Sequence, residues 1–211
     1  MKKIPIMIID DHKLIRDMWS LLLGLDEKYE VIAKVGTGED AVELAKTKRP
    51  VVVLLDINMA PLSGFDVLKQ LKKFLPSVKV IGVSMHTQPA YARKMLRGGA
   101  KGYVTKNSGS EELLLAVSEV LEGRTYICEE VRALIVDQSI DGETTDSGIS
   151  SLSDRELEII GYIRDGFSSK EIAEKLFLSY KTIEVHRHNI LQKLNVKNAA
   201  SLIQLINFHG L

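Results

Sequence analysis

The stretch Val51–Leu55 is an unbroken apolar run, VVVLL, and it stops at one carboxylate, Asp56. A run this short and this uniformly apolar reads as a strand buried on both faces. Such a strand needs a sheet with helices on both sides. The surrounding text agrees. Ile4–Ile9, Tyr29–Val35, Val78–Val83 and Gly102–Thr105 also read as strands. Leu14–Leu25, Glu39–Lys48, Phe65–Phe74, Ala90–Arg97 and Glu111–Glu122 read as helices, with Ser110 expected to cap the last. Five strand-then-helix units predict an α/β fold with a five-stranded, doubly wound parallel sheet. Functional side chains of such sheets gather beyond the carboxyl ends of the strands.

After residue 127 the text changes. Glu129–Val136 reads as a short helix, and DQSIDGETTDSGISS has the polar, glycine-containing composition of a linker. From about residue 150 only helix text follows. Ser153–Glu156 and Ser168–Glu171 both fit the capping box, so two helix starts are marked. The chain therefore divides into residues 1–127, a short helix and linker over 128–149, and a small all-α domain over 150–211.

Charge sets a limit on partners. With 28 basic and 28 acidic residues, no global field holds nucleic acid, and any such site must be a local patch. The single cysteine, Cys128, rules out an intrachain disulfide and a cysteine-rich metal site. No apolar run reaches the roughly 18 residues that span a bilayer. The reading is a cytoplasmic protein with no membrane partner.

Asp10 and Asp11 close the first strand, Asp56 the third, Ser84 the fourth and Lys106 the fifth. All five reach one edge of the sheet. Three carboxylates there repel one another, and a hard divalent cation relieves the repulsion. Mg²⁺ keeps waters and is completed by phosphate oxygens. Lys106 adds a positive charge and Ser84 a hydroxyl. The set predicts a pocket in which Asp56 takes a phosphoryl group while metal and ammonium hold the developing charge.

These residues resemble the receiver domain of two-component response regulators, whose sheet is flavodoxin-like. The resemblance implies Mg²⁺ on Asp10, Asp11, Asp56 and the backbone carbonyl of Asn58. It implies Asp56 as phospho-acceptor and Lys106 as the accompanying cation. It further implies a switch made of Ser84 and Tyr103, in which phosphorylation draws Ser84 to the phosphoryl oxygens and Tyr103 moves inward. An aspartyl-phosphate hydrolase would carry a second aspartate two residues after the nucleophile. Asn58 stands there, which argues against a turnover enzyme. Ala60 occupies the family's usual proline position, with Pro61 following, and Asn107 follows the lysine. His12 reads as an exposed helix start, and His86 as either a modulator of hydrolysis or a solvated loop residue.

In the C-terminal part, Ser169–Phe177, the turn Leu178–Ser179 and a helix from Tyr180 to about Leu194 form two short helices with a tight turn. Ile183, Ile190 and Leu194 share one side of the second helix and face inward. Lys181, Glu184, Val185, His188 and Gln192 share the other. That mixture of donors, an acceptor and a small apolar group suits base edges in a major groove. Arg187 and Lys193 flank it and suit phosphates. From Ser179 to Asn198 four cations stand against one carboxylate, a net +3. So few cations bind weakly alone, so two copies on a two-fold site are expected.

Residues 150–208 resemble the LuxR-type helix-turn-helix, and the whole chain a NarL/FixJ-class response regulator. The resemblance implies base contacts from Glu184, Val185 and His188, and backbone contacts from Lys170, Lys181, Thr182, Arg187 and Lys193. It implies a sensor histidine kinase and double-stranded DNA as partners, a homodimer when phosphorylated, and control of transcription.

Overall fold

The computed structural model describes residues 3–140 and 151–209, in two compact units. One comprises Met1–Thr87 and Ala92–Arg132, the other Gln88–Tyr91 and Ala133–Leu211.

The first unit is built on a parallel sheet of β1 (Ile4–Ile9), β2 (Tyr29–Val35), β3 (Val52–Asp56), β4 (Lys79–Ser84), β5 (Gly102–Thr105) and β6 (Tyr126–Ile127). The order is β2-β1-β3-β4-β5-β6. The unit's helices are α1 (Lys13–Gly24), α2 (Gly38–Lys48), α3 (Gly64–Phe74), most of α4 (Pro89–Arg97) and α5 (Ser110–Leu121), while α6 (Glu129–Ile140) starts in this unit and continues into the second. β3 is buried at every position, as its composition demands, and it pairs with β1 and β4. The strand order reverses direction between β1 and β3, so the crevice above those strands is the switch point of the sheet.

The sheet has six strands rather than five. Tyr126–Ile127 adds a two-residue edge beside Gly102–Tyr103. Two residues carry too little periodicity to be seen in sequence. Glycine makes the sheet and its cover fit. A Cβ on Gly82 would stand 2.8 Å from Met95 Cε, so the α4 side chain lies directly on β4. Helix α5 is not capped by Ser110, which is its first residue; the cap is Gly109, whose missing side chain makes no capping bond. Cys128 is a free, buried thiol. No helix among the described residues is long and apolar enough to cross a membrane.

The second unit contains α7 (Asp154–Arg164), α8 (Ser169–Lys175), α9 (Tyr180–Lys193) and α10 (Ala199–His209). Both capping boxes form. Ser153 and Ser168 accept from the N–H groups of Glu156 and Glu171, whose carboxylates accept in return. Ile159, Ile160, Ile172, Ile183, Ile190, Leu202 and Ile206 are buried and make the core. Most of the polar stretch read as a linker, residues 141–150, lies outside the described residues.

Candidate functional site

Two places carry chemistry. At the carboxyl edge of the sheet, Asp10 follows β1 directly and Asp56 is the last residue of β3. Both are buried, 2% and 1% exposed, so neither can rely on water for its charge. Lys106, just past β5, bridges them: its Nζ lies 2.8 Å from Asp10 Oδ2 and 2.7 Å from Asp56 Oδ2. The remaining oxygens are also held. Asp56 Oδ1 accepts from the Asn58 N–H at 3.0 Å, and Asp10 Oδ1 from the His12 N–H at 2.8 Å.

Asp11 stands at the mouth of the pocket, more exposed than Asp10. Asp10, Asp11, His12 and Asp56 each bring a ligand-type atom within 4.8 Å of the others. His12 is the exposed residue at the start of α1, as expected, and its Nδ1 also lies 2.6 Å from Asp11 Oδ1 and 3.2 Å from Asp10 Oδ1. Only its position next to two aspartates could have signalled this.

Burial pushes the Asp56 carboxyl up to about 7. Lys106 pulls it back, and Asp10 adds to the rise. Burial lowers the Lys106 ammonium, but the two carboxylates more than reverse this, and its net shift is upward. The pocket thus holds a carboxylate poorly satisfied in its charged form, beside a firmly protonated lysine.

Ser84 and Tyr103 lie on the neighbouring strands. Ser84 ends β4 and is fully buried; its hydroxyl accepts from the His86 N–H at 3.1 Å. The Tyr103 hydroxyl donates to the His86 carbonyl at 2.7 Å. One peptide segment at His86 therefore links both side chains. The Tyr103 ring is already inside the domain, fully buried, and needs no inward movement from this state. His86 is not a solvated loop residue: it is buried, and its Nε2 lies 2.7 Å from Asn58 Nδ2. Asn58 is thereby fixed by its side chain as well as its backbone. The β3–α3 loop carries a cis peptide at Ala60–Pro61. It closes with the Gly64 N–H donating to the Ile57 carbonyl at 2.9 Å.

The second place is the exposed face of α9. Ser179 caps the helix, accepting from the Thr182 N–H at 3.1 Å, and the Thr182 hydroxyl lies 2.7 Å from its own. Ile183 and Ile190 are fully buried, which turns Lys181, Glu184, Val185, His188 and Gln192 to solvent. Lys170, on α8, is exposed as well, and Arg187 half-buried. Lys193 is differently placed: its Nζ lies 2.6 Å from the buried Glu156 carboxylate, which also belongs to a capping box. That cation is committed within the unit. His186 is half-buried, and burial lowers its pKa.

Two family models match the chain. The response regulator receiver domain matches residues 6–118, and the luxR family of bacterial regulatory proteins matches residues 150–206. The oxygen regulatory protein NreC of Staphylococcus epidermidis is 38% identical over 206 residues, covering 94% of each chain. Among solved structures, the RcsB response regulator of Salmonella typhimurium, described for conformational dynamism in DNA interaction, is 25% identical. It covers 98% of this chain and 99% of its own, at a TM-score of 0.63. The response regulator ChrA of a heme-sensing two-component system is 28% identical, covers 100% of this chain and 99% of its own, at a TM-score of 0.55.

Proposed function

The chain belongs to the response regulators that join a receiver domain to a LuxR-family DNA-binding domain, and on that premise we propose that Asp56 is its phospho-acceptor, supplied by a sensor histidine kinase. The protein is a DNA-binding regulator of transcription. The observation that carries the assignment is the convergence of Asp10, Asp56 and Lys106 within 2.8 Å contacts in a buried pocket at the sheet's switch point.

The chemistry follows from the groups present. A carboxylate oxygen of Asp56 attacks phosphorus, the donor's bond to phosphorus breaks, and an acyl phosphate is left on the side chain. Lys106 already touches that carboxylate and neutralises charge as it builds on the phosphoryl oxygens. The oxygen-rich set of Asp10, Asp11 and Asp56 fits a hard cation, with the Asn58 carbonyl as a further ligand. Bound there, Mg²⁺ would offset the carboxylate repulsion and draw off phosphoryl charge.

The phosphoryl group then acts as a local charge switch. The Ser84 hydroxyl leaves the His86 N–H for a phosphoryl oxygen. That loosens the peptide to which Tyr103 is bonded, so the change passes from β4 to β5. The output is double-stranded DNA binding by a homodimer. Lys181, Thr182 and Arg187, with Lys170, hold phosphates; Glu184, Val185 and His188 meet base edges. Lys193 takes part only by leaving Glu156.

The test is labelled phosphoryl transfer from acetyl phosphate with Mg²⁺, comparing wild type with Asp56→Asn. Wild type is expected to carry one acid-stable, hydroxylamine-sensitive label and the variant none. Equal labelling of both removes Asp56 from its role.

A further inference from the structure

Three successive helices of the second unit end in the same way. After α7, the Phe167 N–H donates to the Tyr162 carbonyl at 3.0 Å, and Gly166 has φ +85°. After α9, the Val196 N–H donates to the Leu191 carbonyl at 2.9 Å, and Asn195 has φ +52°. After α8, the Leu178 N–H donates to the Ala173 carbonyl at 2.9 Å, the Phe177 N–H to the Glu174 carbonyl at 3.3 Å, and Phe177 has φ +53°. This is the Schellman ending, whose left-handed residue is ordinarily glycine or asparagine. Two of the three helices obey the rule. The third places a bulky aromatic where one is strained.

Packing does not account for it. Phe177 is 82% exposed, so its ring contributes little to the core. Its position accounts for it better. Phe177 lies in the turn just before α9, and Tyr180, 58% exposed, is the first residue of that helix. Tyr180 shares its side of α9 with Glu184 and His188, four and eight residues on. Val185, 53% exposed, follows Glu184 and is turned to solvent as well. An apolar edge is thus continuous with the polar face assigned to DNA, at the helix end that enters a groove first.

We propose that Phe177 and Tyr180 form a sequence-independent apolar DNA contact, seated on the deoxyribose wall of the groove that receives α9. This rests on the reading of α9 as the DNA-binding helix. The contact neutralises no phosphate. It therefore adds affinity without adding salt dependence, unlike a lysine or arginine contact.

The test uses the full chain activated with beryllofluoride and two fluorescein-labelled duplexes, one of mixed sequence and one of G·C pairs only. Each is titrated across a series of salt concentrations. Phe177→Gly is expected to bind both about tenfold more weakly, the size expected for one lost phenyl contact. Its log–log salt slope stays that of wild type, and its melting temperature rises, because glycine removes the strain. Tyr180→Ala is expected to weaken binding in the same way, whereas Lys181→Ala flattens the slope by about one unit. Unchanged affinity of Phe177→Gly overturns the proposal. So does a lowered melting temperature accompanying the loss, which makes the ring structural. A loss confined to the mixed duplex also overturns it, in favour of thymine-methyl contact. Wild type that binds neither duplex overturns the DNA assignment of α9 itself, a different failure.

Discussion

At the residue scale the receiver pocket is an unstable arrangement made stable by one ammonium. Asp10 and Asp56 are both almost wholly buried, and Lys106 is their shared ion-pair partner. Removing it strands two carboxylates in an apolar setting, where loss of one partner of a buried pair costs about 3–5 kcal/mol. Lys106→Met is therefore expected to lower the unfolding midpoint of the first unit in urea. It is also expected to slow phosphoryl acceptance from acetyl phosphate by about 10²-fold, the usual loss when one preorganised charge-stabilising donor is removed. Added Mg²⁺ should recover stability in this variant more than in wild type, because a cation then meets carboxylates with no competitor. Melting curves with and without Mg²⁺ decide this; equal shifts in both proteins would mean that Lys106 and the cation do not share the same charges.

At the scale of elements, the loop between β3 and α3 is set by backbone approach. A Cβ on Gly64 would lie 2.2 Å from the Asp56 carbonyl oxygen and 2.6 Å from Ile57 Cα, and backbone cannot step aside as a flexible side chain can. Gly64→Ala is expected to cost about 3 kcal/mol by denaturant melts and to reduce phosphoryl acceptance, since the clash falls on the acceptor's own backbone. In the second unit the join between α7 and α9 is acid-sensitive. Burial by itself raises the Glu156 carboxyl, but Lys193 and the Ser153 N–H and hydroxyl hold it below its ordinary 4.5. Its stability is present above that value and lost as pH falls through the lowered one. His186 is lowered first by burial, against an opposing pull from Glu156. The unfolded chain therefore takes up the proton more readily, and stability declines once pH drops below about 6.5. Thermal melts of wild type should fall in two stages on acidification, and His186→Gln should erase the upper one. These elements also mark what was legible in the sequence. Strand ends could be read because a carboxylate after VVVLL or a lysine after GYVT breaks an apolar run, and both capping boxes are local four-residue signals. The two-residue β6, the Gly109 cap, the pairing of Lys193 with Glu156 and the place of His86 against Asn58 could not. Each depends on residues that meet only once the chain has folded, or on an element too short to show a period.

For the whole molecule the question is how a phosphoryl group in one unit changes binding by another. A charge held equally in two states shifts neither, so on the function proposed above the group favours one arrangement of the Ser84–His86–Tyr103 segment. The output can be read without knowing the operator, through counterion release. On the proposed DNA contacts, one copy offers Lys170, Lys181 and Arg187 as cations for phosphates, since Lys193 is paired with Glu156. Three phosphate contacts give a log–log salt slope of about −2.7, and two copies on one site about −5.4. Wild type with beryllofluoride is expected to show the steeper slope and tighter binding. Asp56→Ala, with or without beryllofluoride, should show the shallower one. Light scattering on the same samples should give the dimer only for activated wild type. Equal slopes, affinities and masses throughout would mean that Asp56 is chemically competent but disconnected from DNA. A slope near −7 on activation would mean instead that Lys193 is released from Glu156 in both copies, adding two contacts. In that case Glu156→Gln, which frees Lys193 in advance, would steepen the salt dependence of the unactivated chain by about one unit.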